Sequence, residues 1–403
     1  MRPINLAGIE AARVRLSGVI RATPALRSDA LSGLLGREVW TKPEHLQRTG
    51  SFKIRGAYNH IAHLKEEHLA THVVAASAGN HAQGVALAAS LLGMASTVYM
   101  PRTTALPKIE ATRAYGAEVV IDLESVDDCI EEARTRATAA GGAFVPPFDD
   151  PYVIAGQGTI GLEIAKEAPE VQTVIVPVGG GGLIGGVALA LKQVAPGVRV
   201  VGVQAAGAAA MVAALESGAP VRLEATHTMA DGIALRSVSA QTLDLTQRYV
   251  DKVVTVSEEE ISRAVLVLLE RAKWVVEPAG AVALAALLAG KVPGNSPALV
   301  LLSGGNVDPL VLMRLIEHGL SAAGRYLRLR VLLDDRPGAL AALSAAIAAL
   351  GLNVLAVEHH RVGPHLALNE VEVLLNLETR DPSHRDEVVP ALRREGFRAD
   401  PVG

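Results

Sequence analysis

One lysine in the run KPEHLQRTGSFKIRGA (residues 42–57) has surroundings that suit covalent chemistry. Lys53 has apolar neighbours on both sides, and Thr49-Gly50-Ser51 before it predicts a turn and cap at which a helix begins. The positive end of a helix and apolar neighbours both disfavour a charged amine, so Lys53 should lose its proton readily. Such an amine can attack an aldehyde. Lys42 lacks this setting and is interpreted as an ordinary solvent-facing lysine.

A glycine-rich loop, PVGGGGLIGG (177–186), follows a β-branched run and opens a helical pattern. Glycine lets backbone N–H groups approach an anion, and the positive end of the helix adds to this phosphate seat. The loop satisfies G-x-G-x-x-G, but the next strand ends in Val203-Gln204, without the acid that would hold a dinucleotide ribose. It therefore predicts a mononucleotide-sized or cofactor phosphate rather than NAD, with a glycine-rich turn that only allows close helix–sheet packing as the alternative.

A second polar loop, SAGNHAQG (77–84), also lies between a strand and a helix. Ser77, Asn80, His81 and the first amides of the helix can donate to a carboxylate or a phenolate oxygen. The alternatives are an ordinary helix cap and a histidine whose hydrogen bonds are satisfied inside the fold.

The three features together suit one cofactor. A reactive lysine, a phosphate seat and a polar ring-binding loop are what pyridoxal 5′-phosphate requires. Its ring nitrogen also needs a partner, and Ser303 in LLSGGN (301–306) is the candidate because it follows another strand.

The elements that must position these loops alternate along the chain. The predicted strands are HVVAAS (72–77), STVYM (96–100), AEVVI (117–121), TVIVPV (173–178), VRVVGVQ (198–204) and ALVLLS (298–303). The predicted helices cover 80–92, 105–115, 126–139, 183–194, 257–273 and 277–289. Apolar strands separated by helices indicate an α/β fold with parallel sheets covered on both faces.

The pattern changes near residue 318. A strictly alternating strand from Tyr326 is followed by a helix at 339–350, strands at 352–361 and 366–377, a helix at 381–394 and a last strand, FRADPV. This βαββαβ order resembles a ferredoxin-like module. The predicted domains are residues 1–318, with a small lobe at about 74–147, a linker at 319–325 and a C-terminal domain at 326–403.

Composition excludes several classes of protein. The 403 residues carry a net charge of −4, without the basic stripe that nucleic-acid binding needs. The single cysteine, Cys129, excludes an internal disulfide and a cysteine-built metal site, and suits a reducing cytoplasm. Val171 to Leu191 is uncharged but contains Pro177 and six glycines, so a strand, loop and helix are predicted there rather than a membrane span. We expect a cytoplasmic protein with no membrane partner.

Four ordered motifs carry a family resemblance. SFKIRGA, SAGNHAQG, GGGGL and SGGN resemble the threonine/serine dehydratases of the tryptophan-synthase β-like, fold type II, pyridoxal-phosphate enzymes. The tail, with DRPGAL (335–340) and GLNV (351–354), resembles an ACT domain, a small amino-acid-sensing module.

The resemblance implies a role for each motif. Lys53 would form the Schiff base with pyridoxal 5′-phosphate, Phe52 would flank the ring, Asn80 would bond its phenolic oxygen and Ser303 would meet its nitrogen. The phosphate would bind Gly179, Gly180, Gly181, Gly182 and Leu183. The substrate carboxylate would bind Ser77, Ala78, Gly79, Asn80 and His81. A branched-chain amino-acid effector would bind the ACT-like domain near Gly338, Ala339 and Asn353, usually across a dimer interface.

The implied reaction is loss of water from L-threonine or L-serine, giving 2-oxobutyrate or pyruvate and ammonia, in isoleucine biosynthesis or threonine catabolism. A homodimer or homotetramer is expected. Serine or threonine racemases are the nearest alternative, but they tend to carry a second serine where this chain has Ala78. Cysteine synthases and a non-catalytic amino-acid sensor are further alternatives. No metal is expected, because Gln204 and the acid-free AAGAAAM replace the acidic metal ligands of some relatives. Glu277, at a predicted helix start, is close to the cofactor in the family.

Overall fold

A computed structural model describes residues 4–139, 141–363 and 366–402. The chain divides into two compact units, Met1–Pro309 and Leu310–Gly403, and each is described by itself. Within the described residues, every helix is too short or too polar to cross a membrane.

The first unit contains two sheets. Its strands are β1 (Leu26–Arg27), β2 (Val39–Lys42), β3 (His72–Ala76), β4 (Ala95–Pro101), β5 (Glu118–Leu123), β6 (Ala143–Phe144), β7 (Thr173–Pro177), β8 (Arg199–Ala205), β9 (Lys252–Val256) and β10 (Ala298–Leu301). The larger sheet has the order β1-β2-β10-β7-β8-β9, and only its β1–β2 pair is antiparallel. The smaller sheet, β5-β4-β3-β6, is parallel throughout and forms a small lobe inserted between β2 and β7. The predicted α/β class and parallel sheets are confirmed.

Helices follow most of these strands, as parallel pairing requires. They are α1 (Leu6–Leu16), α2 (Asp29–Leu35), α3 (Lys53–Glu66), α4 (Asn80–Leu91), α5 (Leu106–Ala114), α6 (Val126–Ala139), α7 (Pro151–Glu167), α8 (Gly182–Val194), α9 (Ala210–Ser217), α10 (Ala240–Tyr249), α11 (Glu258–Val267) and α12 (Pro278–Leu288). A short 3₁₀ turn, Asp231–Ile233, lies between α9 and α10.

Close packing of α7 on α8 holds α8 in place. A Cβ at Gly186 would clash with the carbonyl oxygen of Ile154, and one at Gly161 would lie 2.7 Å from the Val187 carbonyl oxygen. Glycine at these positions therefore lets the two helix backbones approach closely. Behind α8, Ile184 and Val187 join Val174 and Val176 of β7 in the apolar core of the large sheet.

A buried ionic network fastens the start of α3. Arg55 donates to both carboxylate oxygens of Glu44 at 2.8 Å and to Glu163 at 2.8 Å. Lys42, at the end of β2, contacts Glu163 at 2.7 Å and Glu167 at 2.9 Å. Lys42 is fully buried, so its interpretation as a solvent-facing lysine was wrong. β2 lies inside the sheet, between β1 and β10, and a charge buried there needs paired partners.

The second unit has an antiparallel sheet of order β12-β13-β11-β14. Its elements are α13 (Pro309–Ala322), β11 (Tyr326–Asp334), α14 (Ala339–Ala349), β12 (Asn353–His360), β13 (Glu370–Glu378), α15 (Pro382–Arg394) and β14 (Arg398–Pro401). From β11 onward they follow the predicted βαββαβ order, and β11 alternates buried and exposed residues. The predicted linker, 319–325, covers the end of α13 and the turn before β11. The predicted domain limits stay predictions.

Candidate active site

A cavity in the first unit lies where loops at the carboxyl ends of β7 and β10 meet the first residues of α3 and α4. Its wall includes every predicted cofactor contact, namely Phe52, Lys53, Asn80, Gly179, Gly180, Gly181, Gly182, Leu183 and Ser303. Parallel strands bring their carboxyl ends to one edge of a sheet, which is why ligands bind there. Loops far apart in sequence therefore share one site.

Lys53 is the first residue of α3 and half-buried. Its Nζ donates to the carbonyl oxygen of Pro147 at 2.7 Å and lies 5.3 Å from the centre of the Phe52 ring. Burial lowers the pKa of Lys53 to about 8, although the nearby carboxylate of Glu277 opposes this shift. A usable fraction of the amine is therefore unprotonated near neutral pH.

The glycine loop joins β7 to α8 and follows the cavity wall. Gly181 adopts the left-handed conformation, with φ of 93°, directly before the helix begins. A Cβ at Gly180 would clash with the Phe148 ring, and one at Gly182 would clash with the Phe148 carbonyl oxygen. Glycine is therefore required at these positions, and the positive end of α8 lies at the cavity wall.

Asn80 is the first residue of α4, and its Nδ2 donates to Oε1 of Glu277 at 2.6 Å. Glu277 precedes α12, as expected, and is 4% exposed. Burial raises the pKa of Glu277 to about 7, and the Asp231 carboxylate adds to this shift while the Asn80 hydrogen bond opposes it. The cavity thus holds a carboxyl group that titrates near neutral pH.

Ser303 follows β10 and is buried at the cavity wall. Within the described residues, its hydroxyl makes only a long hydrogen bond, 3.5 Å, to the carbonyl oxygen of Ala279. The backbone N–H of Phe52 donates to the Ser303 carbonyl oxygen at 3.2 Å, and Ser51 forms an antiparallel bridge with Gly304. The lysine loop and the serine loop are therefore joined through their backbones.

One of the five residues predicted for the substrate carboxylate lies on the cavity wall. Asn80 lines the cavity, whereas Ser77, Ala78, Gly79 and His81 are not on its wall. His81 is buried, and its Nε2 lies 2.9 Å from the Val145 carbonyl oxygen. Burial and the charge of Lys53 lower the pKa of His81 to about 3, so the ring is neutral. The carboxylate assignment stays a prediction.

Several wall residues were missed by sequence reasoning. Phe148, Gly232 and Ile233 line the cavity, although no strand-end motif marks them. Beside them, Lys108 of α5 contacts Asp231 at 2.6 Å and so joins the small lobe to the rim of the cavity. The segment ADGIAL (230–235) contains a glycine, but no periodicity in the sequence indicates that this segment approaches the site.

In the second unit, the residues predicted to bind an effector lie at two ends of the sheet. Asn353 begins β12 opposite Glu378, which pairs with Tyr326 at the start of β11. Gly338 and Ala339 begin α14, after the far end of β11. Nine residues of strand span roughly 27 Å, so one copy of the domain does not bring the two parts together.

Comparison with known proteins adds the family. Residues 16–304 match the family described as pyridoxal-phosphate dependent enzyme, and residues 327–397 match the ACT domain. The chain is 47% identical to the L-threonine ammonia-lyase of Thermotoga maritima over 401 residues, covering 99% of this chain and 100% of that protein.

Solved structures agree with this assignment. A threonine deaminase from T.th. is 44% identical with a TM-score of 0.72, and the match covers 75% of this chain and 99% of that one. Maize serine racemase is 33% identical with a TM-score of 0.74, and the match covers 79% of this chain and 99% of that one.

The residues on the cavity wall fit pyridoxal phosphate. Lys53 supplies an amine of lowered pKa, and the glycine loop brings the start of α8 to the cavity wall at positions where a Cβ would clash with Phe148. Ser303 and Asn80 add polar side chains to the same wall. Together with the match over residues 16–304, this shows that the chain belongs to the family of pyridoxal-phosphate dependent enzymes and carries a C-terminal ACT domain.

Proposed function

We propose that this chain is a threonine ammonia-lyase, which converts L-threonine to 2-oxobutyrate and ammonia, and L-serine to pyruvate and ammonia. The observation that carries the proposal is Lys53, whose amine of lowered pKa lines the same cavity as the glycine loop and Ser303. The substrate is supported by the 47% identity, over almost the whole chain, to a protein named L-threonine ammonia-lyase.

We assign the cofactor contacts by matching the chemical groups on the cavity wall to those of pyridoxal phosphate. The backbone N–H groups of residues 179–183, at the positive end of α8, would hold the phosphate. Asn80 Nδ2 would donate to the ring oxygen. The Ser303 hydroxyl would meet the ring nitrogen, which a neutral partner leaves largely unprotonated. Bound pyridoxal phosphate would supply an aldehyde for the substrate amine and an electron sink for charge at Cα.

The chain's own residues then hold and move protons. Lys53, as a free amine, takes the proton from the substrate Cα, which a pKa of about 8 permits near neutral pH. The amides at the start of α4, in the loop Ser77–His81, orient the substrate carboxylate. The β-hydroxyl takes up one proton, equal in number to the proton removed from Cα, and leaves as water. The released enamine rearranges to an imine, which takes up water and loses ammonia, so the atoms of threonine balance those of 2-oxobutyrate plus ammonia.

The product test separates the proposed reaction from its alternatives. Purified protein loaded with pyridoxal phosphate is given L-threonine or L-serine, and the 2-oxo acid, the ammonia and the D-amino acid are measured. Equal amounts of 2-oxo acid and ammonia are expected. A D-amino acid as the main product would indicate a racemase, which Ala78 argues against because its side chain offers no proton. Cofactor binding without any product would indicate a sensor.

We further propose that the ACT domain binds an amino acid and adjusts the activity, with isoleucine or valine as the effector. Gly338 and Asn353 lie at opposite ends of one sheet, so a site using both requires a second copy of the chain, which supports a homodimer or homotetramer. A role in isoleucine biosynthesis or in threonine catabolism would follow. A threonine saturation curve with and without isoleucine tests this regulation.

A further inference from the structure

Asn306 lies just beyond Ser303 and contacts the cofactor site through one neighbour. Its Nδ2 donates to the backbone carbonyl oxygen of Thr49 at 2.7 Å and to Oδ1 of Asn80 at 2.7 Å. An amide NH₂ has two hydrogens, and both are used here. The reverse orientation of the amide would place its oxygen against two other oxygens, so the orientation of Asn306 is fixed.

The fixed amide of Asn306 determines which way Asn80 faces. Because Asn80 Oδ1 accepts from Asn306, Asn80 Nδ2 is turned toward Glu277, to which it donates at 2.6 Å. Asn80 and Glu277 both line the cavity. One hydrogen of Asn80 Nδ2 is used by Glu277, and the second has no acceptor among the described residues, so it can serve a group bound in the cavity.

The contact with Thr49 anchors Asn306 to the turn that precedes Lys53. Thr49 adopts a left-handed conformation with φ of 63°, which is rare and strained for a β-branched residue. Gly305 donates from its backbone N–H to the Gly50 carbonyl oxygen at 2.9 Å, and a Cβ at Gly50 would clash with the side chain of Asn306. Asn306 therefore cannot turn away without moving this turn.

We infer that Asn306 is a positioning residue that acts through Asn80: it holds the Asn80 amide so that a donor, and not an acceptor, faces the oxygen of the cofactor ring. The inference rests on the proposed contact between Asn80 and the ring. It does not depend on which amino acid is the substrate.

A double-mutant cycle tests this inference without any amino acid present. Pyridoxal phosphate is titrated into cofactor-free Asn306→Ala, Asn80→Ala and the double variant, and its apparent Kd is read from cofactor absorbance. Each single change should raise the apparent Kd about tenfold, because one well-placed hydrogen bond contributes about that much to binding. The double variant should stay within about twofold of Asn80→Ala, because groups that act through each other are not additive.

Two further variants keep the test decisive. Asn306→Asp preserves shape but places an acceptor against Asn80 Oδ1, so it should weaken binding and shift the absorbance maximum in the same direction as Asn80→Ala. Asn295→Ala, at an exposed position, should change neither quantity. Losses that multiply in the double variant, or Asn306 variants with unchanged Kd, would overturn the inference. Failure to turn over threonine would refute the proposed reaction and leave this result standing.

Discussion

Lys53 and Glu277 are two ionisable residues on the wall of one cavity, and burial moves their pKa values toward each other. The pKa of Lys53 falls to about 8, while that of Glu277 rises to about 7. Both groups therefore exchange protons near neutral pH, which is the range in which general acid–base catalysis is most effective. Perturbed pairs of this kind concentrate at functional sites.

Glu277→Gln should change how stability depends on pH. The folded pKa of Glu277, about 7, exceeds its unfolded value of about 4.5, so the folded state binds the extra proton and stability falls as pH rises between these values. Glutamine keeps an oxygen for Asn80 but does not titrate. Urea midpoints of cofactor-free protein between pH 5 and 8 should fall less steeply in the variant.

The matched control is Glu110→Gln, because Glu110 is exposed on α5. The urea midpoints of Glu110→Gln should depend on pH in the same way as those of the unchanged protein. If Glu277→Gln also followed the unchanged profile, Glu277 would not titrate as described.

At the scale of elements, the site depends on where α3, α4 and α8 begin. Each starts with a residue on the cavity wall, so the positive helix ends face one space. Close glycine packing fixes α8, and the Arg55 network fixes α3. These supports lie outside the cavity but determine its shape.

Gly182→Ala should weaken cofactor binding. The added methyl group meets the Phe148 carbonyl oxygen, which is backbone and can move only by reshaping the wall. We expect the apparent Kd of pyridoxal phosphate to rise about tenfold, because overpacking of this kind typically lowers the binding free energy by a corresponding amount. Gly197→Ala, where a Cβ would meet open space, should leave the Kd unchanged. Equal Kd values for the two variants would contradict the proposed phosphate seat.

Lys42→Met should destabilise the first unit by about 2 kcal/mol, because it removes a buried cation from partly buried partners. Trp40 and Trp274 both lie in this unit, so tryptophan fluorescence during urea unfolding reports on it alone. Lys166→Met, at an exposed position of α7, is the control. An unchanged midpoint for Lys42→Met would contradict a stabilising role for these ion pairs.

These elements explain which parts of the site could be predicted from the sequence. Loops after β7 and β10 were predictable, because apolar strands are recognisable as runs and their ends meet at one edge. The burial of Lys42 was not predictable, because β2 has only four residues and includes a threonine and a lysine. Phe148 and Gly232 reach the cavity through tertiary packing, which no local pattern encodes.

At the scale of the whole molecule, a catalytic unit and an ACT domain share one chain. The residues proposed for effector binding lie at two ends of the ACT sheet, so a site that uses both would need a second copy of the chain. In that proposal regulation would depend on assembly. The resemblance to ACT domains suggested these residues, and the strand register adds that one copy separates them.

Asn353→Ala should weaken the response to isoleucine while leaving turnover without isoleucine unchanged. Loss of one polar contact should raise the isoleucine concentration for half effect about tenfold. Asn295→Ala should behave like the unchanged protein. Threonine saturation curves over an isoleucine series measure both quantities, and an Asn353→Ala curve identical to the unchanged one would contradict the proposed effector site.

The most direct test of the central claim is the rate at which Lys53→Ala forms 2-oxobutyrate from L-threonine, beside Lys166→Ala as the matched control. If Lys53 is the amine that removes the Cα proton, its loss should lower the rate by about 10³ or more, while Lys166→Ala keeps the full rate. A Lys53→Ala protein that still formed 2-oxobutyrate at the rate of the control would contradict the account.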